Sequence, residues 1–307
     1  MKYILKPHQE KALTNINQGF TSQDRLQYIS ACGTGKTLVG YTYIDKLLQE
    51  KTNQVVVLFF PSLALIGQTY EAYKDYGLEI SKYDILFVCS DESVYEEETL
   101  EIDKSEMSFD VTTQEDLISN FLTTKVLGTS KNKIIFCTYH SSHVLANSFA
   151  DAKVTADFVL YDEAHKTASM NDSHYNYTLD DASMKIAKRL FMTATPKHKA
   201  VSSLKGEESE EYIYSMTNEK RYGKVIEQYT VREAINDEVI APYKIVVSIV
   251  SDEEIELIRA KNTSTVLKNM ELKKAAKLIA LSKAVEKYGI KKGLVFTERI
   301  DRSKNIL

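Results

Sequence analysis

The sequence predicts an α/β fold: a doubly wound parallel sheet with helices on both faces, followed by the start of a second α/β unit. Three observations predict it. Short apolar runs of strand length recur along the chain, amphipathic helix-like stretches separate them, and a glycine-rich loop joins the first run to the first long helical pattern.

The elements follow in order. Pro7 opens a helix in which Leu13, Ile16 and Phe20 share one face. The runs are LQYIS (26–30), VVVLFF (55–60), DILFVC (84–89), KIIFCT (133–138), DFVLY (157–161) and RLFMT (189–193). They are nearly continuous in apolar character, as strands buried on both faces of a parallel sheet must be. Between them, GKTLVGYTYIDKLLQE and SLALIGQTYEAYKDY read as helices. KGEESEE reads as a solvated loop, and KVIEQYT (224–230) as a last strand of this unit. AINDEVIAP (234–242) is expected to be a hinge. YKIVVSIV (243–250), a Lys-rich helical region near 265–288 and GLVFT (293–297) then open a second α/β unit. The expected domains are residues 1–240, with the acidic segment 91–116 inserted, and residues 241–307. The latter are too few for a full parallel-sheet domain, so the second is expected to be truncated and to continue in further sequence or subunits.

Composition narrows the class. With 43% hydrophobic and 27% charged residues the chain has the makings of a real core. No segment approaches 18 consecutive apolar residues, which excludes a membrane-spanning helix, and MKYILKPHQE has no signal-peptide core. Cys32, Cys89 and Cys137 are scattered, which suits a reducing, cytoplasmic setting, and each sits beside an apolar run where a small buried hydrophobe is expected. The net charge of −4 argues against a protein that coats nucleic acid. Residues 91–116 hold eleven acids and one lysine, whereas residues 241–307 hold fourteen basic residues against eight acidic. The acidity is therefore local, either a solvated face or an element that repels nucleic acid from one side.

Two motifs carry chemistry. In SACGTGKT, a glycine-rich turn between strand and helix can cradle phosphates with its backbone N–H groups, aided by the helix dipole. Ser30, Gly33, Thr34, Gly35, Lys36 and Thr37 are the candidate nucleotide-binding set. Lys36 is expected to reach the β/γ-phosphates of ATP and Thr37 to ligate Mg²⁺. Ser30 stands where the strict pattern has its first glycine. In VLYDEAH (159–165), a buried strand ends in Asp162 and Glu163, at the sheet edge where open α/β proteins bind ligands. Asp162 is expected to hold Mg²⁺ through a water and Glu163 to polarise the attacking water; a plain acidic turn is the alternative. His8, His140, His143, His174 and His198 show no metal-ligand spacing.

Asp162-Glu163-Ala164-His165 is a DEAH box, and with SACGTGKT it resembles the superfamily 2 helicases and translocases. LKPHQEKAL (5–13), FFPSLALIGQT (59–69), CTYHSS (137–142), FMTATPKH (191–198) and GLVFTERI (293–300) resemble further motifs of that group, in its order. SDESV, DVTTQEDLISNFL and IIFCTYHSS are most similar to the ATPase core of type III restriction subunits and to helicase-like proteins of plasmids and large DNA viruses.

The resemblance implies a RecA-like first lobe and an incomplete second one. It implies that Gln9 contacts adenine, that Ser62 and Thr138 contact phosphates of a nucleic-acid strand, DNA by preference, and that His165, Thr193 and Thr195 couple that track to the ATP site. From the residues alone, Ser62 is equally a helix N-cap and Thr138 an ordinary strand residue. In such proteins the second lobe supplies two arginines to the γ-phosphate. Arg299 and Arg302 lie too close to the 293–300 motif for that role, so weak hydrolysis is expected. The alternative is a non-motor, ATP-dependent nucleic-acid-binding module.

Overall fold

The computed structural model describes residues 3–89, 111–124, 131–168, 173–198, 215–247, 249–261 and 272–293. Most of the acidic stretch, the KGEESEE loop and nearly all of the motif at 293–300, including Arg299 and Arg302, lie outside the described residues. The chain divides into two compact units, Met1–Ala241 and Pro242–Leu307.

The first unit is an eight-stranded, wholly parallel sheet. Its strands are β1 (Arg25–Ser30), β2 (Val55–Phe60), β3 (Tyr83–Val88), β4 (Val111–Thr112), β5 (Asn132–Thr138), β6 (Phe158–Tyr161), β7 (Arg189–Thr193) and β8 (Lys224–Tyr229). Across the sheet they run β4-β3-β5-β2-β6-β7-β1-β8. The chain steps outward from β1 through β2 to β3 and β4. It then fills the gaps with β5, β6 and β7, and crosses to the far side of β1 with β8. Every expected strand of this unit is present within a residue or two. The two-residue β4 has no counterpart among the apolar runs.

All strands being parallel, their C-terminal ends share one edge. The register aligns them: Phe60 stands beside Thr138, Phe59 beside Tyr161, Tyr161 beside Phe191 and Ile29 beside Thr193. Loops leaving β1, β2, β5, β6 and β7 therefore open onto the same surface.

Helices cover both faces. On one, α1 (Pro7–Gly19), α2 (Lys36–Glu50) and α3 (Leu63–Tyr76) bury Ala12, Ile16, Val39, Ile44, Ile66 and Tyr73 against Tyr28, Leu58 and Phe136. On the other, α4 (Glu115–Thr123) and α5 (Ser142–Ala152) bury Ile118, Leu122, Leu145 and Phe149 against Val57, Ile135 and Val159. Strands apolar on both faces are thus used on both. Each such buried side chain is worth about 1.5–3 kcal/mol.

At the opposite edge, Arg25 and the wholly buried Arg189 converge on the Asp181 carboxylate at 2.8 and 2.6 Å. Arg25 also donates to the carbonyls of Leu179 and Arg221. Gly223, at φ +74°, leads into β8 against Arg25, where a Cβ would lie 1.9 Å from the Arg25 carbonyl oxygen. Only glycine fits there.

Three expectations need correction. The start of the expected hinge is a capped helix, Val231–Asn236, in which Thr230 and Glu233 close a reciprocal capping box. YKIVVSIV forms no strand among its described residues, and Ile245, Val247 and Ile249 are 79–89% exposed. Strand propensity needs a partner strand to be realised, and none of the described residues pairs with it. The described part of the Lys-rich region near 265–288 is a helix, Leu272–Tyr288, as expected. Cys89 and Cys137 are buried as expected, but Cys32 is exposed, because it lies past the end of β1 on the loop. Among the described residues no helix is long and apolar enough to cross a membrane.

Candidate nucleotide site and coupling network

The loop Ala31–Gly35 joins β1 to α2. Gly33 (φ +78°) and Gly35 (φ +84°) both adopt left-handed backbone, which reverses the chain and delivers it into α2 at Lys36. The loop is braced internally. Thr34 Oγ1 donates to the Ala31 carbonyl at 2.7 Å and accepts from Ser30 Oγ at 2.6 Å. Ser30 is fully buried and Thr34 is 2% exposed. Set inside the sheet end, their hydroxyls hold the loop's shape, and the main chain of the loop is left as the part that could cradle a phosphate. Lys36 Nζ reaches back to the Ala31 carbonyl at 3.5 Å, and Thr37 sits beside it on the first turn of α2.

Gln9 comes to the loop from α1. Its Nε2 donates to the Thr34 carbonyl at 3.0 Å and its Oε1 accepts from the Lys6 amide at 2.9 Å. Both ends of this buried amide are therefore engaged within the protein.

The acidic pair follows β6. The Asp162 amide donates to the Phe59 carbonyl, and the Asp162 carbonyl accepts from Tyr139 Oη at 2.6 Å, so the turn is pinned to β2 and β5. Burial, with the neighbouring Glu163 carboxylate second, raises the Asp162 pKa to about 6, while Lys36 opposes the rise. Glu163 moves the other way, chiefly through its hydrogen bond with His165 at 3.3 Å, and Lys36 adds to the effect. Two adjacent carboxylates are thus driven apart in acidity, the condition under which one can act while its neighbour binds. Glu163 also sits at φ +48°, a strained conformation for a residue with a side chain.

His165 links this pair to β7. Its Nδ1 lies 2.8 Å from Thr193 Oγ1 and 3.5 Å from Thr195 Oγ1, and the Thr195 amide donates to Thr193 Oγ1. Glu163, His165, Thr193 and Thr195 form one connected network.

The two expected strand-contact residues behave differently. Ser62 caps α3, its hydroxyl accepting from the Leu65 amide at 3.4 Å, and is 9% exposed. Thr138 is fully buried and donates to Ser141 Oγ at 3.2 Å. Thr138 stands beside Phe60 in the register with its side chain turned inward, so the main chain there is the part left to meet a phosphate. The sequence did not show that the rings of His140 and His143 both approach that of His174, at 4.9 and 5.1 Å, because His174 lies 31 residues from His143 along the chain.

Thr37 and Asp162 offer oxygen donors near a cationic Lys36, the hard-ligand chemistry that suits a Mg²⁺ arriving with a phosphate chain. Among the described residues no group of three or more His, Cys, Asp and Glu could hold a metal ion unaided.

The chain is 27% identical over 284 residues to "Probable helicase A859L" of African swine fever virus (isolate Pig/Kenya/KEN-50/1950), an alignment covering 90% of this chain and 27% of that protein. The Tick/Malawi isolate's protein is 28% identical over 282 residues. The chain thus spans about a quarter of the length of these viral relatives. Among solved structures, "ATP-dependent Type ISP restriction-modification enzyme LlaBIII bound to DNA" superposes with a TM-score of 0.75 at 23% identity, covering 92% of this chain and 19% of that one. A nuclease-deletion mutant of the Type ISP enzyme LlaGI, in complex with a DNA substrate mimic, superposes at 0.62 with 25% identity, covering 76% of this chain and 18% of that one. Residues 2–198 match the family described as "Type III restriction enzyme, res subunit". With that match over most of the parallel sheet and helicase relatives along nearly its whole length, the chain belongs to the type III restriction res-subunit family, a superfamily 2 helicase-like motor domain.

Proposed function

We propose that residues 1–240 are the ATP-binding lobe of a DNA translocase or helicase and that residues 241–307 begin its second lobe. The observation that carries this reading is the continuous network at the strand ends, from Glu163 through His165 to Thr193 and Thr195, beside the Gly33–Thr37 loop. The DNA complexes of the two Type ISP enzymes supply the choice of nucleic acid.

In this reading the backbone amides of residues 33–37 hold the phosphate chain, and Lys36 sets its charge against the β/γ-phosphates. Thr37 and Asp162 hold Mg²⁺, which when bound neutralises charge developing on the phosphoryl oxygens. Glu163, kept ionised by His165, orients the attacking water. Any change at Glu163 on turnover passes through His165 to the strand exit of β7. Gln9 reads adenine only with the amide hydrogen it does not donate to Thr34. Contacts to the DNA backbone come from the Ser62 hydroxyl, which accepts from Leu65 but can still donate, and from main-chain amides near Thr138, whose own hydroxyl donates to Ser141.

The test is ATP hydrolysis by this chain with and without duplex DNA. Lys36→Ala should abolish ATP binding, and Glu163→Gln should keep binding while stopping turnover. Unchanged ATP affinity in Lys36→Ala would refute the site. Binding of both ATP and DNA without DNA-stimulated turnover would support the non-motor module in its place.

A further inference from the structure

The hydrogen bonds onto the Thr34 carbonyl go beyond the Gln9 contact. His8 Nε2 lies 3.0 Å from that oxygen, as does Gln9 Nε2, so two donors from adjacent residues of α1 meet one acceptor. A carbonyl only accepts, so His8 must carry its proton on Nε2. The His8 ring is itself held: it stacks on Tyr229 at 4.3 Å between centroids and 6° between planes. Tyr229 is 7% exposed and its hydroxyl donates to Asp237 Oδ2 at 2.8 Å. The Tyr229 carbonyl also accepts from the Ala31 amide at 2.9 Å. Tyr229 therefore grips the loop at its start directly and at its end through His8.

The consequence follows from peptide geometry. In a planar trans peptide the C=O and the N–H of the next residue point in opposite directions. Two donors on α1 that draw the Thr34 carbonyl toward them thus aim the Gly35 N–H away from α1. A second donor on the same oxygen adds to the restraint that Gln9 alone would place on the plane of this peptide. α1 is seated closely enough that a Cβ on Gly35 would lie 2.3 Å from Gln9 Nε2, so the loop is shaped to receive this contact.

We propose that His8, oriented by Tyr229, is a positioning residue that aims the Gly35 amide at the phosphates of the bound nucleotide. The inference rests on the reading of residues 30–37 as a phosphate-binding loop. His8 touches no phosphate itself; it acts through the Thr34–Gly35 peptide.

The experiment is calorimetric titration of the whole chain with Mg·ATP and Mg·ADP, paired with thermal unfolding. His8→Ala should weaken both nucleotides by about 5- to 10-fold, the worth of one buried hydrogen bond, with the unfolding midpoint moved by no more than about 2 °C. His8→Gln, which still offers an N–H at similar reach, should recover most of the affinity. Tyr229→Phe, which keeps the stack but releases Asp237, should weaken binding by about twofold. Wild-type affinity in His8→Ala, or a loss in His8→Gln as large as in His8→Ala, overturns the proposal. If His8→Ala is destabilised by more than about 5 °C, His8→Gln decides alone. Should the wild-type chain fail to bind ATP, or Lys36→Ala bind it normally, the phosphate-loop reading itself fails. Binding that is lost in Lys36→Ala but intact in His8→Ala overturns this inference only.

Discussion

His165 Nδ1 stands 2.8 Å from Thr193 Oγ1 while the same nitrogen lies 3.3 Å from the Glu163 carboxylate. One imidazole edge thus serves two strands, β6 and β7, that are neighbours in the sheet but 28 residues apart between those contacts. This is the geometry on which the coupling role proposed for His165 rests.

Removing the reporting contact should separate the two activities. Thr193→Val keeps the shape of the side chain and deletes its hydroxyl. Basal ATP hydrolysis should change by less than about threefold, while stimulation by DNA should fall by about 5- to 100-fold, the range of ordinary coupling free energies. Steady-state hydrolysis across a DNA titration measures both; equal loss of basal and stimulated rates would make Thr193 merely structural.

Asp162 gives a pH dependence with a defined sign. Its folded pKa, raised from 3.8 to about 6, makes the folded state bind the extra proton between those values. Stability from this group is therefore complete below about pH 4 and declines as pH rises through about 6. Asp162→Asn, freed of that penalty, should be more stable than wild type at pH 8 by about 1–2 kcal/mol, and the advantage should vanish near pH 4. Urea unfolding at the two pH values tests this. If Asp162 binds Mg²⁺ as proposed, adding Mg·ATP should favour its ionised form and lower the pH at which this stability change occurs.

Gly223 should tolerate no side chain. Gly223→Ala combines a left-handed φ of +74° with a Cβ placed 1.9 Å from backbone, so the start of β8 must move. A loss of about 3–5 kcal/mol is expected, read as a lowered denaturation midpoint with the cooperativity of the transition as a control.

Asp181 is a second stability test. It is 66% exposed, yet it answers Arg189, which is wholly buried, and Arg25, which nearly is. Asp181→Asn keeps the shape and removes the charge that the two guanidinium groups share. Because the carboxylate is solvated, the expected loss is about 1–3 kcal/mol, below that of a fully buried pair. Chemical denaturation at low and high salt should show it.

The sheet was legible because it is a local property. A run such as VVVLFF is apolar at all six positions, which marks it as a strand buried on both faces, and it forms β2 between β5 and β6. The glycines of the loop were legible for the same reason, since their conformations are set by the turn itself. What the sequence left hidden depends on partners far along the chain. Nothing in the spacing around His8 points to Tyr229, 221 residues away, or shows that Thr138 turns inward against Ser141. YKIVVSIV reads as a strand by composition and forms none among its described residues, because pairing is not a property of the segment.

The position of β8 has one more consequence, for how the molecule is made. β8 lies at residues 224–229 yet flanks β1, the strand that carries the nucleotide loop. While the chain is being synthesised, β1 has β7 on one side and an open row of backbone donors and acceptors on the other until residue 229 has emerged. The family match ends at residue 198, so a fragment cut to that boundary would carry the loop on a bare sheet edge. Bare edges recruit other chains. Such a fragment should clump before it can be assayed, and one extended through Tyr229 should not.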